Sequence, residues 1–553
     1  MKKIVLIIFT SLTACFTQAQ EISEAIRYAQ DNLNGTARFR AMGGAFGALG
    51  GDLSSLNVNP AGSVIFSNNQ AGATLSNFNI KNKSNYLGNN TVEQNNSLDL
   101  NQAGAVFVFK NTNSKSDWKK FSLAVNYENT NDFENSIVSA GTNQNNSIDQ
   151  YFLSYANGNG GVKTQYIDSF YYSHSLDNSG NPILGTNGLP IENYNLLSNY
   201  FGNSQTSISN NLDSYIYQYI GEVDGVDSFR NQQAFLGYEG FIINPSITND
   251  PNNRNYVSLV PEGNYYQENE VSSTGYNGKI SFNGATSYKD KLFLGINLNT
   301  HFVDYNQSSS FYEDNDAPLT SQYTVSRLRF NNDLYTYGNG FSFQLGAIIK
   351  ATKEIRLGLA YESPTYYNLN DELTQSLRVV SEATNLNATN DLINPQVINA
   401  YEPYKLQTPS KVTGSFAYIF GKTGLLSIDY ALKNYSNTQY KPNTDFNAIN
   451  DAMTNILDNT SELRMGGEYK IEKWSLRGGY RFEQSPYKNQ TAMGDLTGYS
   501  GGLGYNFGNT KLDLSYSTSK RGSNQRFFSQ GFTDAATINT TNNNVSLTVL
   551  FEL

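Results

Sequence analysis

The sequence predicts an all-β fold, a 14-stranded antiparallel transmembrane β-barrel with an N-terminal hatch in its lumen. Three observations carry that expectation. Apolar and polar residues alternate with a period of two, as in Val545-Ser546-Leu547-Thr548-Val549 and Leu426-Ser427-Ile428-Asp429-Tyr430, which sorts them onto opposite faces of a strand. The links between such segments are short and long in turn, as an up-and-down outer-membrane barrel requires. Finally, the 553 residues include 39 Tyr, 32 Phe and 46 Gly, yet the mean hydropathy is only -0.48. After the N-terminus no apolar run approaches the roughly 20 residues of a membrane helix, whereas a barrel needs only one lipid-facing side of each strand to be apolar.

The chain opens with Lys2-Lys3, an apolar run from Ile4 to Phe9 and a Thr17-Gln18-Ala19 site that would release Gln20. Residues 1–19 therefore read as a secretory signal peptide, too short to span a bilayer as a stable helix. The alternative is a lipoprotein signal, because Leu12-Thr13-Ala14-Cys15 is compatible with a lipobox and Cys15 is the sole cysteine. Either way the exported chain has no disulfide. Residues 20–69 form the hatch, and its centre is the small, nearly uncharged run from Gly43 to Gly62, GGAFGALGGDLSSLNVNPAG. Glycine permits close backbone approach, and Pro60 after Asn59 fixes an extended or turn conformation, so this run suits a coil packed inside something larger.

Residues 70–553 then supply the barrel. Strands are read near 70–80, 102–110, 120–129, 274–285, 291–304, 338–350 and 354–363, then 409–420, 424–435, 462–470, 473–484, 497–506, 510–519 and 543–553. The even count treats Tyr323 to Tyr337 as a loop excursion of the strand that follows. Every second link is short: Asn111 to Lys119, Thr286 to Asp290, Ala351 to Lys353, Gly421 to Thr423, Ile471 to Glu472 and Phe507 to Asn509. The others are long and polar, the largest running from 130 to 273. Long links are expected outside the cell and short ones in the periplasm, which places Asn143 and Asn543 in external loops, Thr352 in a periplasmic turn, and both termini on the periplasmic side. A soluble sandwich would share the alternation but not this inequality of links.

Composition also removes function classes. The formal charge is -10, or -12 without Lys2 and Lys3, and there is no basic cluster, which argues against nucleic acid as a partner. The two histidines, His174 and His301, stand far apart, and there is no H-E-x-x-H, no G-x-S-x-G, no phosphate loop and no metal-ligand spacing. The sequence thus reads as non-enzymatic, with no cofactor and no metal.

Gly-rich small residues followed by Asp52-Leu53-Ser54 and Asn59-Pro60-Ala61, all near the exported N-terminus, resemble the hatch of the FadL/OmpP1 family of outer-membrane transporters of hydrophobic compounds. Gly340 to Gly346, Thr408 to Val412, Arg464 to Tyr469 and Trp474 to Tyr480 look like paired strands of that family. The resemblance implies a monomeric barrel of fourteen strands in the bacterial outer membrane, a hatch filling the lumen, and a route for long-chain fatty acids or other apolar molecules. Two departures stand out: the loops are much longer than a minimal member needs, and Phe551-Glu552-Leu553 lacks a terminal aromatic residue.

Candidate sites follow from both readings. Asn59, Pro60 and Ala61, with Asp52, Gly43 and Gly44, form the candidate hatch or gate, either a moving part or a rigid turn. Arg356, Arg464 and Arg477 lie on the polar side of their strands and are candidate lumen ligands for a carboxylate, or else partners of Glu468, Asp429, Asp513 and hatch groups. The 130–273 tract, with its apolar run Gly240-Phe241-Ile242-Ile243-Asn244-Pro245, is either an outer collecting groove or a loop packed on itself. Two functions stand: passive uptake of long-chain fatty acids or similar hydrophobic molecules, bound in the lumen and released by hatch rearrangement, and service as a structural partner in an outer-membrane secretion or assembly complex.

Overall fold

The computed structural model describes residues 21–168 and 226–553 except Asp31, Ser114 and Thr491, together with short strand segments at 173–174, 192–193, 216–219 and 222–223. The expected signal peptide and Cys15 lie outside the described residues.

Alternation dictates the wall. In the strand from Gly424 to Asn434, Leu426 and Tyr430 are about half exposed while Ser427 and Asp429 are buried, and Leu514 and Leu547 point outward beside buried Asp513, Ser515, Ser546 and Thr548. Apolar side chains outside and small or polar ones inside are the inverse of a soluble sandwich, and they fit a lipid-facing wall. The wall strands are β1 (Gln70–Tyr86), β2 (Asn89–Lys110), β3 (Trp118–Asp132), β4 (Tyr265–Tyr288), β5 (Leu292–Asn315), β6 (Thr324–Lys350) and β7 (Ile355–Glu362). They continue with β8 (Lys411–Phe420), β9 (Gly424–Asn434), β10 (Asn459–Ile471), β11 (Trp474–Glu483), β12 (Leu496–Asn506), β13 (Thr510–Arg526) and β14 (Ala535–Glu552). Each pairs antiparallel with its neighbours, and β1 meets β14 from Gln70↔Glu552 upward, closing a barrel of 14 strands.

Aromatic residues mark the bilayer. Near the short-link rim Trp118 packs on Tyr288 with ring centroids 5.1 Å apart, Trp474 on Tyr505 at 4.7 Å and Tyr418 on Phe420 at 4.7 Å. A second belt higher up includes Tyr127, Phe302, Tyr276, Tyr480 and Tyr499. From Trp118 to Tyr127 the rise is about 30 Å along the strand, or about 23 Å along the normal at a tilt of about 40°, close to the apolar height of such barrels.

Above that band the strands run on, and here the structure corrects three sequence expectations. The 81–101 stretch is no loop: β1 and β2 extend to a two-residue turn at Leu87-Gly88, where φ is 49° and 85°. Positive φ at both central residues gives the turn whose twist matches a hairpin. Tyr323 to Tyr337 is likewise not an excursion, since Thr324 begins β6 itself. Its polarity inverts with height: the inward residues are Ser342 and Gln344 within the bilayer but Leu328 and Phe330 above it, with Arg327 and Arg329 on the other face. A reading tuned to outward apolar residues misses a strand that has left the lipid. Asn143 and Asn543 also lie in strands, the first at the end of the segment Asn135–Asn143 that continues β3, the second within β14.

Leu328 and Phe330 contribute to a cap at the long-link end. Helices Asp149–Asn157 and Ser228–Glu239 pack there with Phe311, Leu377 and Phe532 in one apolar core, and Ile242 and Ile243 from the apolar run are fully buried in it. In the described part, the tract therefore packs on itself and on the strand extensions.

Helix α1 (Ile22–Ala29) also sits near that end. Its Tyr28 packs against Phe133 and Tyr367, Arg27 lies 3.9 Å above the Tyr305 ring, and Tyr440 donates to the Glu21 carbonyl at 2.9 Å. At the opposite rim the Leu553 amide donates to Asn69 O at 3.0 Å. The two ends of the described chain are thus at opposite ends of the barrel, because residues 21–69 thread the lumen from top to bottom. The sequence reading expected both termini on one side; among the described residues, Glu21 and Leu553 stand at opposite ends.

Candidate functional site

The hatch is a chain of short turns, each closed by its own residues. Thr36 caps α2 (Ala37–Ala41) by accepting from Phe39 N, Asp52 caps the turn Leu53–Asn57 by accepting from Ser54 N, and Asn59 caps Pro60–Ile65 by accepting from Ala61 N. Side-chain acceptors satisfy amides that short helices leave open, and Pro60 stands where no amide is needed. Gly43 and Gly44, at φ 62° and 78°, make a left-handed bend that L side chains resist.

Wall glycines let this coil lie directly on the strands. A side chain at Gly358 would overlap Gly47, one at Gly346 would overlap Asn59, and one at Gly479 would overlap Gly43. The resulting approach is fixed by hydrogen bonds around the circumference. Asn59 Nδ2 donates to Gly47 O at 2.7 Å within the hatch and to Ala347 O at 3.1 Å in β6, while Gln344, Asn297 and Asn283 donate to Asn57 O, Leu56 O and Pro60 O at 2.8–3.0 Å. Asp429 accepts from Gly47 N at 2.9 Å, and Ala37 N donates to Thr548 Oγ1 at 2.7 Å.

The candidate arginines occupy distinct settings. Arg477 Nε reaches Glu468 at 2.7 Å and its Nη1 reaches Asp513 at 2.5 Å; Arg38 from the hatch shares Glu468 at 2.9 Å and approaches Asp52 at 4.0 Å. Arg464 pairs with Glu462. Arg356 donates to Leu49 O at 2.8 Å. Two of the three are thus engaged by carboxylates, the third holds a hatch carbonyl, and the structure does not gather them into one cluster. His301 bonds Ser342 at 2.9 Å, and among the described residues no group of side chains could hold a metal ion.

Sequence reasoning missed a break in the wall. Along Asn89 to Asn101 the edge of β2 facing away from β1 has no ladder to any described strand, because the continuation Asn135–Asn143 pairs with β4 instead. The break begins at a bulge, where Thr130 is skipped between Asn129↔Gly278 and Asn131↔Asn277. An extra residue bends a strand and ends local pairing. Side chains close the seam: Asn129 donates to Asp99 at 2.7 Å, Ser97 to Asp132 at 2.9 Å, Asn89 to Ala140 O at 2.8 Å, and Thr91 bonds Val138 O. From the lumen, Asn34 Nδ2 donates to Asn129 O at 2.5 Å and Asn32 bonds Asn131.

A cavity of about 330 Å³ reaches this seam, with Asn131 and Asn135 in its lining and Asn32, Asn34 and Arg40 as its hatch side. A smaller one of about 60 Å³ adjoins it across Asn32 and Asn34, lined by Thr130, Glu128 and Arg464. The sequence signal for the seam is faint: an Asn-rich polar run, Asn89 to Asn101, in a stretch flanked by good strands.

The profile of a family described as outer membrane protein transport protein (OMPP1/FadL/TodX) matches residues 264–549, more than half of the chain. The chain belongs to this family. Solved FadL-type structures similar to it include a Pseudomonas aeruginosa FadL homologue, at 12% identity over 95% of this chain and 99% of that one, with a TM-score of 0.44. The Pseudomonas putida toluene transporter TodX matches at 13% identity over 95% and 100%, with a TM-score of 0.45. The Ralstonia pickettii toluene transporter TbuX matches at 14% over 94% and 99%, with a TM-score of 0.42. No curated protein sequence matched the chain. As a FadL/TodX-family protein, it is an outer-membrane β-barrel for the uptake of hydrophobic compounds.

Proposed function

We propose that this chain takes up hydrophobic small molecules, long-chain fatty acids among them, by binding them in the lumen beside the hatch and releasing them sideways through the seam between β2 and the β3 bulge. The observation that carries the reading is the meeting of cavity and seam at Asn131 and Asn135. An apolar cargo gains nothing by continuing into water, whereas a lateral opening at the lower end of the seam, at the bulge three residues beyond Tyr127 of the upper belt, delivers it to the outer edge of the bilayer. In this reading Asn59, Pro60, Ala61, Asp52, Gly43 and Gly44 anchor the hatch, and the rearrangement is confined to Asn32 and Asn34, which bond the bulge directly. Arg464 and Arg477 keep the hatch seat charged and paired; Arg356 orients Leu49. The long links face the outside and the short ones the periplasm.

A disulfide across the seam tests it. Ser97→Cys with Asp132→Cys replaces a 2.9 Å side-chain contact by a covalent clasp, in a chain whose sole native cysteine is Cys15. Ser76→Cys with Ser546→Cys, on facing Oγ atoms 2.7 Å apart in a continuous ladder, serves as the control. Oleate and toluene uptake, normalised to folded barrel, should stop in the oxidised seam variant, return on reduction, and persist in the control. Uptake through an oxidised seam would refute lateral release.

A further inference from the structure

The lining of the larger cavity carries three guanidinium groups, Arg40, Arg481 and Arg521, and no carboxylate, in a chain with 48 acidic and 38 basic residues. Two of the three are neutralised from behind: Arg521 reaches Glu483 at 2.9 Å, and Arg481 pairs with Glu462 at 3.4 Å and with Glu483. Arg40 is different. It is 3% exposed, and among the described residues no carboxylate lies within ion-pair distance of it. Its hydrogen bonds both leave from Nη1, to the amide oxygens of Asn34 at 3.1 Å and Asn101 at 3.5 Å, while Nε has no acceptor. Glu128 is the opposing charge that acts on it, without contact, and a buried guanidinium with no carboxylate in contact is costly and can take one through an N–H group left without an acceptor. Beside it the Phe78 ring lies 5.3 Å from the guanidinium carbon, and Leu33 and Leu496 add apolar surface to the same lining.

We infer that this cavity is a binding site for a compact aromatic carboxylate, with the carboxylate on Arg40 and the ring against Phe78 and Leu33. The inference rests on the uptake reading above and narrows its cargo. At about 330 Å³ the cavity is at the small end of ligand pockets, of a size to enclose a single-ring acid, and its many Asn, Ser and Thr side chains offer a long acyl chain little apolar contact.

The test uses purified full-length barrel in detergent and titration calorimetry with benzoate, and with benzyl alcohol as the neutral molecule of nearly the same shape. Benzoate should bind at least about tenfold more tightly than benzyl alcohol, and Arg40→Gln should remove most of that advantage while leaving benzyl alcohol unchanged, as expected for loss of a hydrogen bond to a charged group. Should Arg40→Gln fail to fold, the wild-type comparison of the two ligands decides alone. Equal affinities for benzoate and benzyl alcohol, or benzoate binding that survives Arg40→Gln, would overturn the site. Because binding in detergent needs no lateral exit, toluene bound with benzoate rejected sinks this inference and leaves the uptake reading, whereas benzoate bound by a barrel that still transports through an oxidised seam does the reverse.

Discussion

Asn59 is tied to its surroundings by more bonds than any gate residue could break cheaply. Its carbonyl oxygen holds the Ala61 amide and its amide nitrogen bridges Gly47 O and Ala347 O, so one side chain joins two hatch turns to a wall strand at a fully buried position. Asn59→Ala would strand two buried carbonyls and one amide, costing about 1–3 kcal/mol locally. Pro60→Ala merely widens the unfolded choices at N1, a change of less than about 1 kcal/mol. Hydrogen-exchange mass spectrometry should therefore show the 47–62 region exchanging markedly faster in Asn59→Ala and nearly as in the native chain in Pro60→Ala. The opposite order would make Pro60 the mechanical residue. Glu468 poses the same question with charge: it is shared by Arg38 and Arg477, which keep Asp52 and Asp513 as partners when it is changed to Gln, so the loss is that of hydrogen bonds to a charged group, about 1.5–3 kcal/mol. The expected result is a lower temperature for the heat-induced gel shift of the folded barrel.

The hatch as an element behaves as a separate body seated in a finished wall. All fourteen strands begin at or after Gln70, and their ladders close without any hatch residue. Removing residues 21–66 should therefore leave a barrel that still resists heat in the gel-shift assay, but with an open lumen. Planar-bilayer recordings should show the native protein nearly silent and the deletion conducting; silence in both would mean that the cap, not the hatch, seals the pore. The seam clasp described above is the complementary experiment on the wall, because it fixes two strands and leaves the hatch free.

At the scale of the molecule two solvents shape one chain. Between the aromatic belts the strands turn apolar side chains outward to lipid; above the upper belt the same strands turn them inward to the cap core of Phe152, Phe311, Phe330 and Phe532. The cap core and the barrel wall thus draw on different faces of shared strands, and damage to one should spare the other. Phe152→Ala removes a fully buried ring from that core, at a cost of about 3–5 kcal/mol. Limited proteolysis of the variant should cut within 149–168 or 226–260 at protease levels that leave those segments whole in the native protein, with the heat stability of the barrel unchanged. Loss of both together would show a single cooperative unit.

The local rules of a strand in lipid determined what the sequence could announce by itself. Leu426 to Tyr430 and Val545 to Val549 alternate because each residue faces either lipid or lumen, so the strand set and closure were legible, as were the short links at Gly421 to Thr423 and Phe507 to Asn509. The turn at Asn59-Pro60 was legible for the same reason, being built from its own neighbours. Tertiary structure alone decided the rest. Phe330 carries no sign of having risen above the bilayer, and Arg477 and Arg40 look alike on paper although one is held by Glu468 and Asp513 while the other faces a cavity lined by no carboxylate. The seam at Thr130, and the run of residues 21–69 from one end of the lumen to the other, depend on partners up to hundreds of residues away. Pairing over such distances is fixed by closure of the whole barrel, which no local pattern encodes.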